Sequence, residues 1–370
     1  MSMNYKELDT PALIIDQDIM MDNLRFMQSY ADRYNVSLRP HTKTHKMPAL
    51  AKVQQELGAR GISVAKVGEA EVMAAGGLQD IFIANEIVGA QKLQRIRKLA
   101  ESIDISFGLD SIPQAHMIET AFAGAKKAAQ VVIEIEVGEE RSGVIEESAY
   151  LELLAYLKTC KNICLKGIFS HDGNSYGAQD VAACQRIHLA AQKRTLRFAQ
   201  LAKDAGMELA TVSIGSTPSM MHDFPILPGI TEIRPGTYIF MDAGQASAYG
   251  SLERCAATIL TAVISRPTAE RVITDVGAKG ITAQRNSGGF CVTRGLGLIK
   301  GWPEAEVFNV YDEHAIIYNK ELRDAVKVGD KIEIIPNHIC PVVNLHEYAY
   351  LVSQGEVVEV IPVECRGKLQ

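Results

Sequence analysis

Eight short β-rich runs alternate with helical stretches along the first two-thirds of this chain, and that rhythm constrains the fold more than any other feature. The runs are Ser37–Lys43, Gly61–Lys66, Asp80–Asn85, Asp104–Leu109, Gln130–Val137, Leu165–His171, Leu209–Gly215 and Glu232–Ile239. Apolar residues recur between them at helical spacing: Leu50, Val53 and Leu57; Leu93, Ile96 and Leu99; Leu151, Leu154 and Leu157; and along Asp180–Asp204. Parallel strands need crossovers of that length, and eight such units close a (β/α)8 barrel. A doubly wound open sheet is the rival, disfavoured because no GxGxxG follows the first run. From about Ser251 the segments AATILTAVIS, ERVITDV, DKIEIIPN and EYAYLVSQGEVVEVIPVE are β-rich with little helical periodicity between them. The expected class is α/β: a TIM-type (β/α)8 barrel over residues 19–250 and a mainly β domain over 251–370, with residues 1–18 packing on the β domain.

The chain has 370 residues, 47% hydrophobic and 22% charged, which is the balance of a globular protein and excludes disorder and collagen-like structure. Lys and Arg total 38 against 44 Asp and Glu, a net charge of −6, so no nucleic-acid surface is expected. No apolar run approaches the roughly 18 residues of a membrane helix, and the start MSMNYKELDT carries no apolar leader segment, so no membrane association and a cytoplasmic location are expected. Seven scattered cysteines argue against a disulfide framework.

Active sites of barrels lie at the C-terminal ends of the strands. The first run ends in Arg39-Pro40-His41-Thr42-Lys43-Thr44-His45-Lys46. A lysine in a barrel mouth is costly unless solvated, paired or covalently used, and a buried amine has the depressed pKa that Schiff-base chemistry needs. The bland alternative is a solvated basic turn. The seventh run leads into Gly215-Ser216-Thr217-Pro218-Ser219 and the eighth carries Arg234-Pro235-Gly236-Thr237-Tyr238. Small residues and hydroxyls after strands seven and eight make the usual phosphate site of such barrels. Opposite a candidate Schiff-base lysine, the two turns point to pyridoxal phosphate.

Arg141, after the fifth run, is a candidate for a cofactor oxygen or a substrate carboxylate, against the alternative of a surface salt bridge with Glu139 or Glu140. The loop His171–Tyr176 after the sixth run is polar and able to face a cofactor ring, with His171 and Tyr176 as its candidates. In the β domain, residues two apart on an extended segment point the same way, so His338 and Cys340 of PNHICP are candidates to grip one ion. Imidazole plus thiolate suits zinc and leaves positions open, with manganese or magnesium as alternatives. A histidine beside an inert core cysteine looks the same, and His314 adds a third candidate of no specific spacing.

RPHTKTHK, VGEERSG, GSTPS, RPGTY and PNHICPVVNLHE together resemble the fold-type III pyridoxal-phosphate enzymes of the D-threonine aldolase and D-serine dehydratase group, more distantly similar to alanine racemase. The likeness runs from LDTPALIID to HEYAYLV. It implies a barrel with a C-terminal β domain, a homodimer, Lys43 as the Schiff-base residue, phosphate at the strand-seven and strand-eight turns, and a metal on His338 and Cys340. Aldolases of the group tend to carry His-x-Asp at the metal position and dehydratases His-x-Cys with zinc, so Cys340 favours elimination. The leading expectation is a zinc-assisted lyase that removes water from a D-β-hydroxy amino acid such as D-serine, D-threonine or 3-hydroxy-D-aspartate, giving keto acid and ammonia, with Lys43, His41 and Arg141 as catalytic residues. The alternatives are an aldolase giving glycine and an aldehyde, a racemase, which needs a second base, and a pyridoxal-phosphate carrier without turnover, which has no use for the β domain.

Overall fold

A computed structural model describes residues 3–285 and 288–370. Its contacts divide the chain into two compact units.

The first unit comprises Met27–Lys43, Pro48–Gly236 and Gly367–Gln370. Its sheet has eight parallel strands: Ser37–Leu38, Ile62–Val64, Asp80–Glu86, Asp104–Leu109, Ala129–Ile135, Ile163–Ser170, Thr211–Ile214 and Glu232–Ile233. Each pairs with the next from the second to the eighth, and the eighth pairs with the first. Past Leu38 the chain continues along the second strand: His41 bridges Ser63, with Ser63 N donating to Pro40 O and Thr42 N to Ser63 O, both over 2.8 Å. That contact curls the sheet round into the expected TIM-like form. Strands covered on both faces read as continuous apolar runs, and Ile81, Ile83, Phe107, Val131 and Ile133 are all fully buried.

The expected crossovers are the helices Pro48–Glu56, Ala90–Leu99, Glu147–Leu157 and Val181–Asp204. Asp180 caps the last by accepting from Ala183 N over 2.7 Å. Two expected strands are shorter than the sequence suggests. The first stops at Leu38 and the eighth at Ile233, because Pro40 and Pro235 have no N–H for a ladder; Thr237–Ile239 is a 3-10 turn instead. Inside the first unit Arg39 bridges Glu232 and Asp80, each over 2.6 Å, and the three line a cavity of about 140 Å³.

The second unit comprises the chain up to Phe26, Thr44–Met47 and Thr237–Arg366. Among the described residues it is built on a ten-stranded, mostly antiparallel sheet. Ala12–Asp16 enters this sheet between Ala257–Ser265, to which it is antiparallel, and Tyr348–Ser353, to which it is parallel. Residues 237–256, of which 237–250 were expected in the barrel, fall in this unit and include the helix Ala243–Tyr249. The tertiary bonds explain it: Asn23 Nδ2 donates to the carbonyls of Ile239 and Arg254, and Ala256 N to Phe240 O. Among the described residues no helix is long and apolar enough to cross a membrane.

Candidate functional site

In the first unit the ends of strands one, five, six and seven carry the expected residues. His41 and Lys43 are half-buried, and Lys43 N donates to His41 Nδ1 over 3.4 Å. Burial, then the nearby charges of Lys43, Arg234 and Arg141, push the His41 pKa well below its ordinary value, so the ring is neutral at pH 7. His171 donates through Nδ1 to Gly215 O, which ties the end of strand six to the turn after strand seven. Burial and the Lys43 charge pull its pKa down to about 4. Tyr176 lies beside it, ring centroids 6.5 Å apart.

Gly215 is a glycine because a Cβ there would meet the Arg234 carbonyl oxygen at 3.0 Å. In the turn that follows, Ser216 is 2% and Thr217 1% exposed. Arg234 is buried beneath, donating to Ser213 Oγ and, over 2.8 Å, to Ser170 O, with its guanidinium 5.1 Å from the Phe169 ring. Gly236 closes this unit at the end of the Arg234–Pro235–Gly236 turn.

Arg141 is half-exposed and pairs with Glu134 at 3.4 Å and Glu139 at 3.4 Å. Its partners thus include Glu139, as the salt-bridge alternative foresaw, and Glu134, which it did not. Burial, then the hydrogen bond and charge of Glu134, raise the Glu86 pKa to about 9, while Glu134 is lowered, against its own burial, by Glu86, Ser142 and Arg141. The two carboxyls hold one proton between them at neutral pH.

In the second unit His338 and Cys340 are half-buried near the start of one turn. The expectation of an extended segment is corrected here: His338 is extended, but Cys340 lies in the first turn of the helix Ile339–Val343, so two-residue alternation does not govern the pair. Cys340 Sγ lies 3.3 Å from Thr44 Oγ1 and 3.7 Å from Thr237 Oγ1, and His338 Nδ1 lies 3.4 Å from Gln284 Nε2. Asp242 holds the turn by accepting from Ile339 N over 3.1 Å. Tyr238 is fully buried in the 3-10 turn beside Thr237. His314 is exposed, and no group of three or more metal-ligating side chains occurs among the described residues.

Residues 15–244 match the alanine racemase N-terminal domain and residues 256–352 a serine dehydratase domain. A D-threonine aldolase of Arthrobacter sp. is 32% identical over 97% of this chain and 93% of its own. The chain belongs to the D-threonine aldolase and D-serine dehydratase family. Its members are pyridoxal-phosphate lyases of fold type III. The crystal structure of D-threonine aldolase from Filomicrobium marinum superposes on this family member with a TM-score of 0.89 at 31% identity, covering 99% of this chain and 98% of its own. The D-threo-3-hydroxyaspartate dehydratase of Delftia sp. HT23 gives 0.89 at 28%, covering 96% and 97%. That dehydratase is also solved with a cysteine replaced by alanine, in a metal-free form, and with a histidine two positions earlier replaced by alanine.

The residues present fit the cofactor of this family. Thr217 Oγ1, Asp172 Oδ1 and Ser63 Oγ are buried without a hydrogen-bond partner in the described structure, an arrangement that native interiors keep for a ligand or water. A half-buried amine at Lys43, flanked by neutral histidines, suits an aldehyde. The donors of His338 and Cys340, an imidazole and a soft thiol on one turn, suit zinc. Sequence reading passed over His188, Glu86, Glu134 and Asp242 and did not single out Asp172 within the polar loop His171–Tyr176. Each acts through a partner on another element, and only a buried polar residue inside a helical pattern, as at His188, gave a hint.

Proposed function

We propose that this protein is a metal-assisted, pyridoxal-phosphate-dependent lyase that removes water from a D-β-hydroxy amino acid, giving a keto acid and ammonia. The observation that carries the reading is the cysteine at position 340, two residues after His338. The same spacing of histidine and cysteine is probed in the Delftia dehydratase, whose cysteine variant is solved in a metal-free form.

In this reading Lys43 Nζ holds the cofactor in the resting enzyme and carries the α-proton during turnover. His41 and His171, both neutral at pH 7, leave the amine free of added positive neighbours on those sides. Arg141 orients a carboxylate or a phenolic oxygen, and the buried Thr217 hydroxyl with the turns at Gly215–Thr217 and Gly236–Tyr238 receives the phosphate. When bound, pyridoxal phosphate supplies the sink for the electron pair left at the α-carbon, and a divalent ion on His338 and Cys340, zinc by donor chemistry, supplies the Lewis acid that makes the β-hydroxyl a better leaving group. The Cα–H and Cβ–O bonds break, water departs, and hydrolysis of the released enamine yields keto acid and ammonia.

A second reading, cleavage of Cα–Cβ to glycine and an aldehyde, is favoured by the aldolases at 31% and 32% identity over nearly the whole chain. Incubation of the zinc-loaded holoenzyme with D-serine, D-threonine and 3-hydroxy-D-aspartate, with all four products scored, separates the two. Keto acid and ammonia that vanish on chelation support elimination; glycine and aldehyde overturn it.

A further inference from the structure

A buried polar chain lies behind the turn after strand seven, and apart from Ser216 in that turn the reaction outlined above does not use it. Asp172 lies two residues past strand six and His188 on the helix Val181–Asp204; each is 2% exposed. His188 Nδ1 and Ser219 Oγ both lie 2.9 Å from Asp172 Oδ2. Burial works against the Asp172 charge, but the His188 and Ser219 hydrogen bonds and the neighbouring histidines outweigh it, and the carboxyl titrates well below the ordinary range. It is therefore an acceptor only, and both neighbours donate to it.

That fixes the direction of every bond further out. The single proton of Ser219 points to Asp172, so in its 3.0 Å contact with Ser216 the donor is Ser216. Ser175 in turn donates to Ser216 over 3.3 Å. The order Ser175→Ser216→Ser219→Asp172←His188 spans the loop after strand six, the turn after strand seven and the long helix. Ser216 consequently makes no side-chain cap to the helix Thr217–Met221 that follows it. The chain is also incomplete: Asp172 Oδ1 and His188 Nε2 are buried without partners in the described structure. A polar cluster kept only for stability is disfavoured when several of its members stay unsatisfied.

We infer that Asp172 and His188 are positioning residues for the phosphate turn: by anchoring Ser219 and aligning Ser216 they hold Gly215–Ser219 in its anion-receiving shape before the cofactor arrives. The inference rests on the reading that this turn takes the phosphate. A turn already ordered does not lose conformational freedom on binding, so the benefit falls on affinity for the phosphorylated ligand.

The test titrates the full-length enzyme, stripped of cofactor, with pyridoxal phosphate and separately with pyridoxal, following absorbance and equilibrium dialysis. Wild type is compared with Asp172→Asn and Ser219→Ala; the latter removes one hydroxyl and leaves the Asp172–His188 pair in place, so it serves if the former does not fold. The expected result is a roughly tenfold loss of pyridoxal phosphate affinity in either variant, with pyridoxal affinity unchanged within about twofold. Equal losses for both ligands, or no loss, overturn the positioning role. A wild type that fails to prefer pyridoxal phosphate over pyridoxal removes the phosphate turn itself, and with it this part of the proposed function.

Discussion

His171 allows a pH-dependence to be worked through from the structure. Its side chain is 23% exposed, and burial, with the Lys43 cation beside it, takes its pKa from 6.5 to about 4. In the unfolded chain the ring binds a proton as pH falls through 6.5; in the folded chain it does so only near 4. The unfolded state therefore holds more protons in this window, and stability from this group is present above about pH 6.5 and is lost as pH falls towards 4. Between pH 7 and pH 5 the ratio of the two binding polynomials grows from about 1.3 to about 30, a loss on the order of 2 kcal/mol. The assay is urea unfolding of cofactor-free wild type and His171→Gln at both pH values. Wild type is expected to lose about 2 kcal/mol more than the variant over this interval. Parallel losses would refute the reasoning, since the variant lacks the titrating ring and keeps the rest of the site.

Replacing Lys43 by Ala is expected to lower turnover by about a thousandfold or more, because base and cofactor anchor go together; a variant with normal steady-state rates takes Lys43 out of the mechanism. Cys340→Ala should lower turnover at least about a hundredfold and release the divalent ion, measured by metal analysis after dialysis, with chelator-treated wild type behaving alike; full activity in both would dismiss the metal. Arg39→Met strands the buried Glu232 carboxylate and should destabilise the fold by about 3–5 kcal/mol in denaturant melts, with a change under about 1 kcal/mol showing that water relieves the pair.

The strand–helix rhythm was legible because each barrel strand is a short apolar run and each crossover has helical spacing, signals that live within ten or twenty residues. Glycine and hydroxyl turns after strands seven and eight were legible from their composition, although the space Gly215 needs is set by the Arg234 carbonyl, which only folding brings beside it. Two prolines misled the strand lengths, since β-rich composition hides the missing N–H at Pro40 and Pro235. His338 and Cys340 were legible as a pair, but their geometry was not; Asp242, distant in the chain, holds Ile339 N and the start of the turn.

What the sequence by itself determined is the order of elements, the family and the residue types that carry chemistry, all properties of neighbours along the chain. Only the tertiary structure decided which sheet takes Ala12–Asp16 and where the first unit ends, because ladder bonds and the Asn23 amide join residues more than two hundred positions apart. It also decided the protonation of the site. The neutrality of His41 and His171, the proton shared by Glu86 and Glu134 and the one-way hydrogen-bond chain into Asp172 follow from burial and from charges that meet only when the barrel strands are side by side.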